Sequence, residues 1–137
     1  MQNSLERFIK AQEHDYQTAL AEVRAGYKCS HWMWYIFPQL KGLGFSSTAQ
    51  FYGINGRDEA KAYLEHPVLG TRLREITSML LTFEGKSAVE IFGYTDAMKL
   101  RSSMTLFNAV AEDDLFQKVL DKYYDGKLDG RTLAMLK

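Results

Sequence analysis

The chain has 137 residues, of which 17 are basic and 17 acidic, giving zero formal net charge, and 46% are hydrophobic. That length suits one domain around one core, and the balanced charge excludes the broad attraction that drives non-specific binding to duplex nucleic acid. The single cysteine, Cys29, cannot form an internal disulfide. No apolar run approaches the roughly 18 residues of a membrane span, and "MQNSLERFIKAQ" lacks the regions of a secretion signal, so a soluble cytoplasmic protein is expected.

Helical periodicity dominates in chain order. Ser4 is placed to cap a first helix whose Leu5, Phe8 and Ile9 share a face, and Tyr16, Ala19, Leu20 and Val23 form the stripe of a second, stopped by Gly26. "HWMWYIF" offers a turn or two of helix before Pro38 and is also the one run that reads as a strand. Ser46 or Ser47 then caps "TAQFYG", and "DEAKAYLEH" makes a short helix from Asp58. Leu69, Leu73, Ile76 and Leu80 predict a long central helix from Pro67 to about Phe83, buried on one face. After Gly85 and a short "SAVEIFG", a helix is expected from about Thr95 to Val110, then another over "DDLFQKVLDKYY", with Asp129 capping the last. The expectation is a single all-α domain over residues 1–137, a bundle of about seven or eight helices with little or no β structure.

Several polar residues fall on apolar faces. At about 100° per residue, Leu100, Met104, Leu106, Phe107 and Val110 fill one sector of the Thr95–Val110 helix, and Asp96, Lys99 and Ser103 point into it. Arg101, Thr105 and Asn108 point away. A lysine rooted among core side chains must reach water, find an anion or give up its proton. In the plainer reading Lys99 snorkels and pairs with Asp96; in the functional one both stand with Ser103 on the rim of a pocket, Lys99 holding a phosphate or acting as an amine. Arg72 projects into the core sector of the central helix, where it needs a carboxylate such as Asp96 or a ligand phosphate.

The stretch "SHWMWYIFPQLKGLGFSS" gathers the rest. Lys41, two glycines and Ser46 at a helix start suit an anion, although the spacing is not that of a Walker A loop. Trp32 and Trp34 supply flat faces for a base or nicotinamide, with burial in the core as the competing reading. His31 is a candidate acid or base near neutral pH, or a structural histidine. Thiol catalysis by Cys29 with His31 has little support, and His31, His66 and Cys29 do not make a zinc site, so no metal and no cofactor are expected.

With "SHWMWYIFPQLKGLG", "YLEHPVLGTRL", "EIFG", "DAMKLRSSMTLF" and the terminal "DGRTLAMLK" taken together, the chain resembles an uncharacterised, mainly bacterial family catalogued as a domain of unknown function. Its members often carry the label calpastatin. The resemblance runs from "FIKAQ" to the C-terminus and implies a mainly helical single domain. Calpastatin-type inhibitors are long and disordered, so the label does not suit this compact, aromatic sequence. The family is distantly similar to the NADAR proteins, whose name refers to NAD and ADP-ribose and some of which cleave N-glycosidic bonds.

These observations converge on a small-molecule-binding protein or enzyme for an anionic, phosphorylated, nucleotide-like ligand. Arg72, Lys41 and the helix start at Ser46 would hold phosphate oxygens, and Trp32 or Trp34 would stack on a ring. Lys99 with Asp96 would stand at the reacting sugar, with His31 in reserve, and N-glycosidic hydrolysis of an ADP-ribose or NAD-derived substrate is the reaction that the resemblance implies. The alternative is a non-catalytic protein-interaction module with an exposed aromatic face. Binding of single-stranded nucleic acid ranks last for want of a basic groove, and nothing in the sequence speaks to oligomeric state.

Overall fold

A computed structural model of the chain describes residues 5–136. The helices are α1 (Glu6–Ala25), α2 (Met33–Ile36), α3 (Ser47–Phe51), α4 (Arg57–Glu65), α5 (Leu69–Met79), α6 (Ala88–Phe92), α7 (Tyr94–Val110), α8 (Leu115–Tyr124) and α9 (Gly130–Met135), with one 3₁₀ turn at Leu80–Thr82. Among the described residues, therefore, the domain is all-α with nine helices, and it has no strand. None of these helices is long and apolar enough to cross a membrane.

Three departures from the sequence reading have simple causes. The two expected N-terminal helices are one, because their stripes are continuous: Phe8, Gln12, Tyr16, Ala19, Leu20 and Val23 are all buried. Gln12 is a polar residue in a core position, so it hides the period. Its amide donates to the Tyr35 carbonyl (2.8 Å) and the Tyr63 hydroxyl (2.9 Å), which satisfies it in the interior. The cap expected from Ser4 lies outside the described residues. "SAVEIFG" forms α6, closed by a capping box in which Ser87 Oγ accepts from Glu90 N at 3.1 Å and Glu90 Oε1 accepts from Ser87 N at 2.7 Å. The helix expected from Pro67 to Phe83 is shorter, since α5 begins only where His66 Nδ1 accepts from Val68 N (3.1 Å) and Leu69 N (3.2 Å).

The central helix is not α5, as the Leu69–Leu80 stripe suggests, but α7, which packs against α4, α6, α8 and α9. Ser102 to Phe107 are buried without a break. Thr105, which helical projection sends outward, is covered by the C-terminal segment: its hydroxyl accepts from Asp129 N at 2.9 Å. Arg101 anchors the same segment by donating to the carbonyls of Lys127 and Leu128, both at 2.8 Å. Around α7 the core is strongly aromatic. Phe8, Tyr63, Phe107 and Phe116 form a chain of ring contacts, with centroids 5.1, 5.3 and 5.9 Å apart, and Trp32, Phe37 and Phe92 form a separate triangle with sides of 6.0–6.4 Å.

After the single turn of α2 the chain runs extended past Pro38 and makes one parallel bridge, Leu40 to Ile54. Lys41 N donates to Ile54 O at 2.8 Å and Ile54 N donates to Gln39 O at 2.9 Å. Gly53 makes this approach possible, because a Cβ there would lie 2.5 Å from Lys41 Cα. From the other side Arg7, buried on α1, donates to the carbonyls of Phe51 (2.7 Å) and Gly53 (2.9 Å) and pairs with Glu59 at 3.3 Å. The residues from Gln39 to Leu43 thereby acquire a fixed place beside α7.

Candidate functional site

Glu22, near the end of α1, organises the loop that carries the first tryptophan. Its carboxylate accepts from Cys29 N (2.8 Å), Ser30 N (3.0 Å), Ser30 Oγ (2.5 Å) and Trp32 Nε1 (2.9 Å). Burial alone would raise its pKa, but the hydrogen bonds from Ser30, Cys29 and Trp32 outweigh it and hold the group down to about 2. Trp32 is thus locked in the core, 1% exposed.

Above Trp32 stands a chain of charges. Lys28 Nζ lies 4.8 Å from the Trp32 ring centroid, donates to the Ser30 carbonyl and meets Asp96 Oδ2 at 2.8 Å. The other oxygen of Asp96 is 3.8 Å from Lys99 Nζ, and Lys99 Nζ lies 4.9 Å from the ring centroid of half-buried Trp34. The Lys28 side chain is 6% exposed and that of Lys99 is 25% exposed. Asp96 is committed chiefly to Lys28, which leaves Lys99 with a weaker counter-charge and a path to solvent.

Lys99 and Gln39 both border two adjoining hollows. The smaller, about 10 Å³, is walled by Trp34, Phe37, Ala49 and Tyr52. The larger is an open cleft of about 300 Å³ between the Gln39–Gly44 segment, α7 and the start of α9, and its wall includes Tyr94, Met98, Ser102, Asp129 and Arg131. Asp129 Oδ2 caps α9 by accepting from Thr132 N (3.1 Å) and Thr132 Oγ1 (2.5 Å), and it also accepts from Ser102 Oγ at 3.2 Å.

Of the residues singled out from sequence, this arrangement unites Lys99, Asp96 and Trp34, with Trp32 behind them in the core. The others lie elsewhere. Arg72 does not pair with Asp96: Nη1 donates to Gln12 Oε1 at 3.4 Å, and the guanidinium carbon is 5.2 Å from the Tyr16 ring, between α1 and α5. The Tyr16 hydroxyl donates to Arg72 O at 3.1 Å and to the Glu75 carboxylate; burial first, then that carboxylate, pushes the phenol well above its ordinary pKa. Lys41 is exposed and borders a different hollow with Asn55 and Met135. Ser46 caps the short α3 by accepting from Ala49 N at 3.1 Å. Ser103 is fully buried, with its hydroxyl unpartnered among the described residues, and so belongs to the core and not to a rim. His31 is exposed, and its backbone carbonyl accepts from Tyr35 OH at 3.3 Å.

Sequence reasoning passed over Glu22, Lys28, Gln39, Asp129 as a cleft residue, and Arg131. Only Asp129 carried a signal, as the cap of α9. The rest are ordinary polar residues that acquire a role when distant segments meet. A further hollow of about 320 Å³ between α4, α5 and the end of α7 is lined by Lys61, Glu65, Arg74, Glu112 and Asp113. It carries more carboxylates than cations, and its Arg74 meets Asp113 at 2.6 Å, a contact that holds the aspartate below its usual range.

Fold and site together define an all-α domain in which one lysine borders both a small aromatic-walled hollow and an open cleft. The chain belongs to DUF1810, a family of proteins of unknown function, whose pattern matches residues 2–136. It is similar to the conserved hypothetical protein Rv1873 from Mycobacterium tuberculosis: the crystal structure of that protein superposes with a TM-score of 0.95 at 49% identity, covering 96% of this chain and 95% of that one. No curated protein matches the chain. These relationships carry no link to calpastatin or to the NADAR proteins.

Proposed function

We propose that this protein binds an anionic, nucleotide-like small molecule in the cleft beside Lys99. The observation that carries the reading is the position of Lys99: stacked on Trp34, 3.8 Å from a carboxylate that another lysine holds at 2.8 Å, and lining both hollows. An ammonium placed in this way gains more from an arriving phosphate or carboxylate than a fully paired one would. Tyr94 and Met98 at the cleft wall supply an apolar face for a ring.

As chemistry, N-glycosidic hydrolysis of a ribosylated substrate comes first: water adds across the bond between the anomeric carbon and the base nitrogen, releasing a free sugar and a protonated base. Lys99 would stand near the sugar as a fixed positive charge on the phosphate, and Asp96 would hold it in place. Calorimetric titration with ADP-ribose, NAD and nucleoside phosphates tests the binding step. Saturable binding that Lys99→Ala weakens at least tenfold is expected, and no heat at millimolar ligand removes the proposal.

One observation favours a second reading, a protein-interaction surface. Phe45 and Tyr94 are 78% and 71% exposed, and Tyr94 lines the cleft that begins beside Gly44. In that case Phe45→Ser would abolish partner binding, whereas small-molecule titrations of the wild type would stay silent.

A further inference from the structure

The start of α9 brings two groups to the cleft that the proposed function does not use. Arg131 is exposed, lines the same hollow as Lys99, and meets no carboxylate within ion-pair distance among the described residues. Asp129 divides its two oxygens. All of its side-chain hydrogen bonds, from Thr132 N, Thr132 Oγ1 and Ser102 Oγ, go to Oδ2. Oδ1 has no partner among the described residues, and it is not one of the buried unpartnered atoms, which are Thr77 Oγ1 and Ser103 Oγ. It is therefore accessible, on a residue that lines the cleft. The Oδ2 contacts fix the orientation of the carboxylate, so the free oxygen is a preset acceptor on a residue that lines the same cleft as Lys99 and Arg131.

A carboxylate acceptor next to an anion-binding pair suits a ligand whose negative group lies close to a hydrogen-bond donor of its own, because a bare anion would be repelled by Asp129 and a bare polyol would leave both cations unmatched. The volume of about 300 Å³ is at the lower end for small-molecule sites, enough for a sugar phosphate or one nucleotide; the second half of a dinucleotide would extend past Tyr94 and Met98.

We propose that Arg131 and Asp129 set the specificity of the cleft: Arg131 joins Lys99 on the anionic group, and Asp129 Oδ1 accepts a neighbouring hydroxyl, so the ligand is a phosphorylated sugar or a mononucleotide. This rests on the reading that the cleft beside Lys99 is the ligand site. Arg131 is exposed and tied to no other group, so its loss leaves the fold intact. Asp129→Asn keeps the cap, since asparagine caps as well as aspartate. With the amide oxygen turned to Thr132 N, it points an NH₂ donor at the ligand where the acceptor stood.

The test is titration of the full chain with ribose 5-phosphate, AMP, ribose and inorganic phosphate, followed by calorimetry and tryptophan fluorescence. The wild type is expected to bind ribose 5-phosphate and AMP tighter than ribose or phosphate. Arg131→Ala should weaken both phosphorylated ligands roughly 10- to 100-fold, and Asp129→Asn should remove the advantage of ribose 5-phosphate over inorganic phosphate. If AMP binds and Lys99→Ala abolishes that binding while both α9 variants stay within twofold of wild type, the specificity assignment falls and the cleft reading stands. If the wild type binds none of the four at millimolar concentration, the specificity assignment falls, and the cleft reading falls with it when ADP-ribose and NAD are silent too.

Discussion

Trp32 and Trp34 are two residues apart, each lies under a lysine ammonium at nearly the same distance, 4.8 and 4.9 Å, and the two lysines share Asp96. One stack is closed. Trp32 is buried, its indole nitrogen donates to Glu22, and Lys28 has a carboxylate at 2.8 Å and a backbone carbonyl to accept its protons. The other is open, for Trp34 is half-buried and Lys99 holds only the far oxygen of Asp96. Identical residue types thus stand in opposite settings: one lysine has a completed set of partners in the core, and the other has an incomplete set beside a cleft, which is what the proposed function builds on.

The largest effect that would sharpen this contrast is at Trp32. Trp32→Ala should cost about 3–5 kcal/mol in denaturant unfolding, as expected for a large buried aromatic, whereas Trp34→Ala should cost about 1–2 kcal/mol and act chiefly on ligand affinity. Equal losses at the two positions would erase the distinction.

Glu22 comes next. Its folded-state pKa of about 2 lies below the ordinary 4.5, so its stabilisation is fully present above about pH 4.5 and is lost as pH falls toward 2. Allowing for partial exposure, the contribution is on the order of 2 kcal/mol. Glu22→Gln should lower stability at pH 7 and flatten its fall between pH 4.5 and 2; parallel curves for variant and wild type would show that the carboxylate does not hold this loop.

The lysines separate by smaller amounts. Lys28→Met strips Asp96 of its near partner and should destabilise by about 1–3 kcal/mol. Lys99→Met should change stability by no more than about 0.5 kcal/mol, while ligand binding is lost. A stability loss at Lys99 matching that at Lys28 would place both stacks in the structural class.

The fold was legible wherever local chemistry acts alone. Ser46 and Asp129 cap the helices expected of them, and α7 and α8 begin within two residues of where their periodicity placed them. It failed at Gln12, whose amide is satisfied only by Tyr35 and Tyr63 from other parts of the chain, so its burial had no local sign. It failed again at Thr105, which the C-terminal segment covers. At the site, the pairing of Lys99 with Asp96 followed from their i,i+3 spacing. The grouping of Arg72, Lys41 and Ser46 with them assumed that anion-binding groups gather in one place, whereas Arg72 lies between α1 and α5, Lys41 borders another hollow, and Ser46 caps α3.

By itself, then, the order of residues determined the helical class, most caps and the pairing of neighbours one turn apart, because helix periodicity and capping are short-range properties of a few consecutive side chains. Which tryptophan is sealed, which lysine keeps its charge exposed, and which C-terminal residues face Lys99 were decided only by tertiary packing. Those outcomes depend on contacts between segments such as Glu22 with Trp32, Lys28 with Asp96 and Ser102 with Asp129, where desolvation and hydrogen bonding act together and no local pattern records the partner.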